Sequence, residues 1–193
     1  MHHATLASML DADQVTPDRF RPLMRREYDR LVEFGVFEDE KLELLRGALV
    51  TMSPQGLAHT RAVVRLTRTL TLALADRAFV CCQVPFAASE DSEPEPDVMV
   101  VPTTSYVDDH PTQAFLLVEV ASSSLRKDRG VKRDLYAENG VPEYWIVNVA
   151  DRVVEVYRTP VDGRYTEHHE VGPDARLRLA VFPDVEIAVA DLF

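Results

Sequence analysis

Phe115-Leu116-Leu117-Val118-Glu119-Val120-Ala121 is a run of seven residues with a single ionisable group in it. A short apolar run of this length reads as a strand covered on both faces, as in a sheet with helices packed on either side. Glu119 breaks the pattern. A carboxylate buried without a partner is costly, so Glu119 must be paired, protonated or bound to a metal. A structural pair with an arginine is the plain alternative. Ionisable groups set against the burial pattern cluster at functional sites, which makes Glu119 the first candidate site residue.

The elements on either side extend this strand into a fold. Residues 126–139 read as a helix ending at Asn139-Gly140, and Glu143–Val149 as the next strand, so residues 114–149 form a parallel strand–helix–strand crossover. Upstream, residues 97–101 and 79–87 read as strands. Between them Ser89–Pro96, with two prolines and most of an acidic run, is a loop. Residues 59–77 form the clearest helix: Val63, Leu66, Leu70 and Leu74 make an apolar stripe, and Arg61, Arg65 and Arg68 face solvent on the other side. Leu42–Met52 reads as a hairpin turning at Arg46-Gly47, followed by a loop at Ser53–Gly56. Residues 16–34 read as a helix opening at Thr16-Pro17-Asp18 and ending at Gly35. Arg152–Arg158 and Arg164–Val171 pair as a hairpin around Asp162-Gly163, and short strands flank Pro183. The expected fold class is α/β (α+β), a mixed sheet flanked by helices with extra β-hairpins. The 193 residues suffice for one well-filled core, read as a single domain 1–193 with a peripheral segment at 1–20.

Composition narrows the function. With 46% apolar and 27% charged residues the chain has the make-up of a soluble domain, and no apolar run is long enough for a bilayer. Met1-His2-His3 lacks the basic start and apolar stretch of a signal peptide. The adjacent Cys81 and Cys82 point to opposite sides of a strand, which predicts two reduced, buried thiols and a cytoplasmic protein. The net charge of −11 opposes any global attraction to phosphate. The local balance differs: Arg61, Arg65, Arg68 and Arg77 outnumber Asp76 between residues 60 and 77, and bases exceed acids between residues 122 and 140.

Asp97 stands at the mouth of an apolar strand in Pro94-Glu95-Pro96-Asp97-Val98-Met99-Val100-Val101. Two acids on adjacent strands can aim their oxygens at one point. Hard cations such as Mg²⁺ take oxygen ligands and keep several waters, so two or three carboxylates suffice. Alone, Pro-Asp before a strand is more often a turn. Asp128 and Lys132 are four apart on a helix, and by spacing alone they form a surface ion pair. Alternatively, Lys132 stabilises negative charge developing on a bound phosphate. Glu43 in the hairpin reads as solvated, and His59 at a helix start as a cap or core residue.

The order of these elements, with Pro96-Asp97 and then Glu119, resembles the PD-(D/E)XK nuclease superfamily, and within it the bacterial Uma-type restriction endonucleases. The resemblance covers about residues 22–193. It is carried by Glu43-Leu44-Leu45-Arg46-Gly47, Met52-Ser53-Pro54 with His59, Pro96-Asp97-Val98-Met99-Val100 and Val118-Glu119-Val120. Asp128, Lys132, Tyr136, Gly140-Val141-Pro142-Glu143-Tyr144-Trp145-Ile146-Val147 and Ala190-Asp191-Leu192-Phe193 complete it. It implies a restriction-endonuclease-like core over 22–193 and a Mg²⁺-dependent (or Mn²⁺-dependent) endonuclease acting on DNA. It implies Asp97, Glu119 and Glu43 as metal ligands and Lys132 as the catalytic lysine, with His59, Asp128 and Tyr136 in support. The expected partner is nucleic acid, a homodimer is left open, and no membrane is involved. Two positions depart from the family pattern. Ala121 stands where the superfamily places its lysine, which the resemblance moves to Lys132 on the next helix. Asn148 replaces a frequent aspartate. Two rival readings remain. One is a non-catalytic interaction module on the same fold. The other is a glycosidase using Glu43 and Glu119, made less favourable by the single tryptophan, Trp145.

Overall fold

The computed structural model describes residues 21–105 and 109–193. The helix start expected at Thr16-Pro17-Asp18 and the segment 1–20 lie outside the described residues. Helix α1 spans Arg25–Glu33. The Glu27 carboxylate accepts the Met24 backbone N–H at 3.1 Å, so the helix is capped from within its first turn. Strands β1 (Leu42–Leu45) and β2 (Ala48–Thr51) form the expected hairpin. Arg46 and Gly47 both adopt positive φ at its turn, and a Cβ on Gly47 would meet Pro22 at 2.2 Å.

Helix α2 runs over Leu57–Leu74. Its apolar stripe of Ala62, Val63, Leu66, Leu70 and Leu74 is buried. The stripe packs on the side of the sheet formed by Val98, Val100, Leu116, Val118 and Val120. Arg61, Arg65 and Arg68 are exposed, as the pattern predicts.

The main sheet has six strands in the order β3-β4-β5-β6-β7-β8. They are β3 (Phe79–Cys81), β4 (Val98–Val101), β5 (Leu116–Ala121), β6 (Glu143–Asn148), β7 (Val153–Val161) and β8 (Arg164–Val171). Only β5 and β6 pair in parallel, through the helical crossover; every other pairing in this sheet is antiparallel. The fold is therefore the mixed sheet flanked by helices that the sequence predicts. A further pair, β9 (Arg176–Arg178) and β10 (Glu186–Ala188), closes the helix α2 side, adding Leu177 and Ile187 to its core.

Three expectations need correction. The strand expected at 79–87 ends at Cys81, because Gln83 takes φ +54° and the following amides bond across loops instead, Phe86 N–H to Pro94 O and Ala87 N–H to Pro111 O. Cys82 is exposed and Cys81 only half-buried, both free, so they are not two buried thiols. The helix expected at 126–139 is α3 (Leu125–Lys127), a wide turn over Asp128–Lys132, and α4 (Arg133–Glu138). In the wide turn the Arg133 N–H donates to Asp128 O, five residues back, and Gly130 leaves helical geometry at φ −108° and ψ −107°. Helix α4 covers the second face of the sheet with Leu135 and Tyr136 against Leu117, Tyr144 and Ile146.

Glu93 ties the hairpin to α1. Its backbone pairs with Leu44, and its buried carboxylate lies 3.6 Å from Arg25 Nη1. Burial, then the nearby Asp29, pushes its pKa up to about 7 from the ordinary 4.5. Between those values the unfolded chain gives up the proton first, so Glu93 makes stability fall as pH rises from about 4.5 to about 7. Glu93→Gln should flatten that limb of a urea-unfolding profile taken against pH. An unchanged slope would remove Glu93 as its source.

Candidate active site

The sheet register brings the two principal acids together. In the antiparallel β4–β5 pair, Val98 lies opposite Val118. One step further along the same register sets Asp97 opposite Glu119, on the same face as Met99 and Leu117. There the face turned towards α4 ends in a pocket with about 450 Å³ of empty space. The Asp97 Oδ2 accepts the Val120 N–H at 2.8 Å. It also lies 3.0 Å from His59 Nε2, which α2 supplies from the opposite layer. Among the described residues the Asp97 Oδ1 has only a long contact, 3.5 Å, from Gln83 Nε2.

Lys132 enters from the wide turn. Its ammonium, 2% exposed as a residue, stands 2.8 Å from Glu119 Oε1 and 2.8 Å from Glu43 Oε2. The Tyr136 hydroxyl donates to the same Glu119 Oε1 at 2.8 Å. Glu43 is fully buried, and its Oε1 takes the Lys127 ammonium at 2.5 Å. The surface ion pair expected between Asp128 and Lys132 does not form: both residues are buried, and no Asp128–Lys132 pair is within 4.0 Å. Asp128 instead accepts the Ser124 hydroxyl through Oδ2 at 2.6 Å, and its Oδ1 has no hydrogen-bond partner among the described residues.

The structure thus gathers Glu43, His59, Asp97, Glu119, Asp128 and Lys132 around one pocket, with Tyr136 behind Glu119. It adds two residues the sequence reading passed over. Glu95 lines the pocket, and Lys127 neutralises Glu43. Glu95, between two prolines and beside Asp97, was open to discovery there; Lys127 carried no distinguishing signal. Asn148 is not part of the lining and closes the turn after β6 through Asp151.

The electrostatics are crowded. Five carboxylates, Glu43, Glu95, Asp97, Glu119 and Asp128, face two ammonium groups, Lys127 and Lys132. Burial pushes the Glu119 carboxyl well up. Lys132 opposes that shift, while Asp128, Asp97 and Glu43 add to it. Burial also raises Asp128 and Glu95. Glu43 moves the other way: its burial is outweighed by Lys132 and Lys127. Burial alone would lower Lys132, but Glu119, Glu43 and Asp128 hold it above the ordinary lysine range.

A divalent cation fits the chemistry of this donor set, because an excess of hard oxygen donors seeks one. The orphaned Asp128 Oδ1 and the lightly held Asp97 Oδ1 are unspent acceptors. As they are placed, no three His, Cys, Asp or Glu side chains among the described residues stand close enough together to hold an ion, and the Lys132 ammonium occupies the space between Glu43 and Glu119 by bonding both. A glycosidase pair of Glu43 and Glu119 is disfavoured, since both contact the same ammonium and Trp145 is wholly buried, donating to Glu143 at 2.9 Å.

Residues 25–190 match the model of the Uma2 family, described as "Putative restriction endonuclease". Among solved structures the fold is similar to that of a putative nuclease belonging to DUF820 from Anabaena variabilis. The TM-score is 0.70 and the identity 18%, over 89% of this chain and 98% of that one. At that identity the likeness speaks for the fold alone. No curated protein matches the chain.

Removing the lysine should expose the carboxylates it neutralises. Lys132→Met is expected to lose about 3–5 kcal/mol in urea unfolding, the scale for orphaning a buried charge partner. Adding Glu119→Gln to Lys132→Met should recover part of that loss. A single variant within about 1 kcal/mol of wild type would show the ion pair to be energetically idle.

Proposed function

The chain belongs to the Uma2 family of putative restriction endonucleases, and on that premise we propose that its pocket hydrolyses phosphodiester bonds of DNA with Mg²⁺ or Mn²⁺ as cofactor. The observation that carries the reading is the register-matched pair Asp97 and Glu119, with the buried Lys132 ammonium 2.8 Å from Glu119. A buried ion pair adds little stability over apolar residues of equal size. Five carboxylates around one pocket are therefore poorly explained as scaffolding.

Asp97 and Glu119 would hold the ion. His59 and the Val120 N–H fix Asp97 through Oδ2. Tyr136 and Lys132 fix Glu119 through Oε1. Glu43, with Lys127 and Lys132 on its two oxygens, contributes through water and by anchoring Lys132. A divalent ion held there would supply Lewis-acid polarisation of the scissile phosphate and a lowered pKa for a nearby water. Lys132 sets a fixed positive charge where the phosphate accumulates negative charge, in a site that need not reorganise to supply it. A second reading, a nuclease-fold binding module without catalysis, is favoured by the net charge of −11 and by Ala121 in place of a strand lysine.

Cleavage of DNA and RNA substrates with Mg²⁺ or Mn²⁺, against a chelator control, decides between them. Wild-type protein should cleave DNA only with the metal. Lys132→Ala should lose roughly 10²–10³-fold in rate, measured where the variant is folded. Titration calorimetry should show weaker Mn²⁺ binding in Asp97→Asn and in Glu119→Gln. Unchanged Mn²⁺ affinity in both variants, or cleavage indifferent to the chelator, would refute the site.

A further inference from the structure

We infer that the phosphodiester backbone of the substrate strand runs from the pocket through the groove between the β1–β2 hairpin and α3, and not through the acidic groove beside Lys41. The inference rests on the nucleic-acid reading above and names the path the strand takes.

Among the described residues two grooves share lining with the pocket, and their chemistry is opposite. The groove towards the hairpin and α3 is a wide, open hollow that shares Ser53, Ser123, Ser124 and Lys127 with the pocket. It adds Arg46 and Arg126, and no carboxylate lines it. In a chain with 32 Asp and Glu against 21 Lys and Arg, a groove with two arginines, a Lys127 already bound to Glu43, and no acid is a local reversal of the overall charge. The groove on the other side shares Met52, Gln55 and Glu95 with the pocket but carries Glu38, Glu40 and Glu95 against Lys41 alone. A polyanion is repelled there.

The two arginines of the first groove can reach a phosphate. Arg126 is exposed and has no ion pair among the described residues. Arg46 pairs with Glu138 at 2.6 Å, but both side chains are exposed, and such a pair exchanges readily onto a phosphate. Exposed hydroxyls of Ser53 and Ser123 lie between these cations and the pocket, and hydroxyls are ordinary phosphate contacts. The other basic surface, on α2, is a poorer track. Arg65 is already engaged there by the backbone oxygens of Asp191 and Phe193, at 3.3 and 2.5 Å. Asp191 also lines the adjoining hollow beside Arg65 and Arg68.

The test is oligonucleotide binding by anisotropy across a salt series, with Ca²⁺ present in place of the catalytic ions. The logarithmic salt slope of wild type should fall in magnitude by about one for Arg126→Ala and by about two for Arg46→Gln/Arg126→Ala, one phosphate contact per cation. Arg61→Ala/Arg68→Ala should leave the slope unchanged. Arg46 sits at positive φ, so melting curves accompany the double variant, and Arg126→Ala alone suffices if that variant is unfolded. An unaltered slope in both groove variants, a slope lost instead in Arg61→Ala/Arg68→Ala, or no salt-dependent binding by wild type would each overturn the inference. Normal binding with the expected slopes but no metal-dependent cleavage would leave this path standing and sink the catalytic reading.

Discussion

The Lys132 ammonium is the contact on which the site depends. It lies 2.8 Å from a carboxylate of the hairpin, Glu43, and 2.8 Å from one of the central sheet, Glu119. Without it two buried like charges would face each other across elements that are far apart in the chain. With it, the hairpin, the parallel crossover and the sheet are locked into one arrangement. The ammonium stays charged because three acids surround it despite complete burial. A buried ion pair of this kind adds little net stability over apolar residues of equal size, whereas removing one partner is costly.

This constraint accounts for an otherwise awkward piece of backbone. A regular helix from residue 125 to 138 would keep the ordinary four-residue hydrogen bonds. The chain instead opens a wide turn over Asp128–Lys132, and both residues are buried there. Wide turns of this kind are frequent at functional sites. Here the turn carries Asp128, which lines the pocket and accepts the Ser124 hydroxyl, and Lys132, whose ammonium lies 2.8 Å from Glu119.

The grooves beside the pocket follow from the same layout. The hairpin contributes Arg46 to one side and stands beside the serines and Lys127 of the crossover. The acids near Lys41 and the proline-bounded Glu95 fall on the other. A protein of net charge −11 can thus present a polyanion with one favourable direction, because charge acts over about a Debye length, roughly 8 Å at physiological salt, rather than over the whole molecule.

Much of the fold was legible in the chain. The apolar run around Glu119, the stripe of Val63, Leu66, Leu70 and Leu74, and the turn signals at Arg46-Gly47, Asn139-Gly140 and Asp162-Gly163 carry local information. Period and turn chemistry act over a few residues, so they can be read directly. Glu119 and Asp97 stood out for the same reason, as acids set against apolar strands. The partners of those acids were not legible. By spacing, Lys132 belonged with Asp128; in the fold it belongs with Glu43 and Glu119, respectively 89 and 13 positions away in the chain. Glu43 read as a solvated hairpin acid and is fully buried, and the strand begun at residue 79 stopped at Cys81 because loop amides found acceptors elsewhere. Local pattern determines which segments are strands, helices and turns. Which charges meet is decided by packing between distant segments, where burial makes pairing compulsory and only the assembled structure supplies the partner.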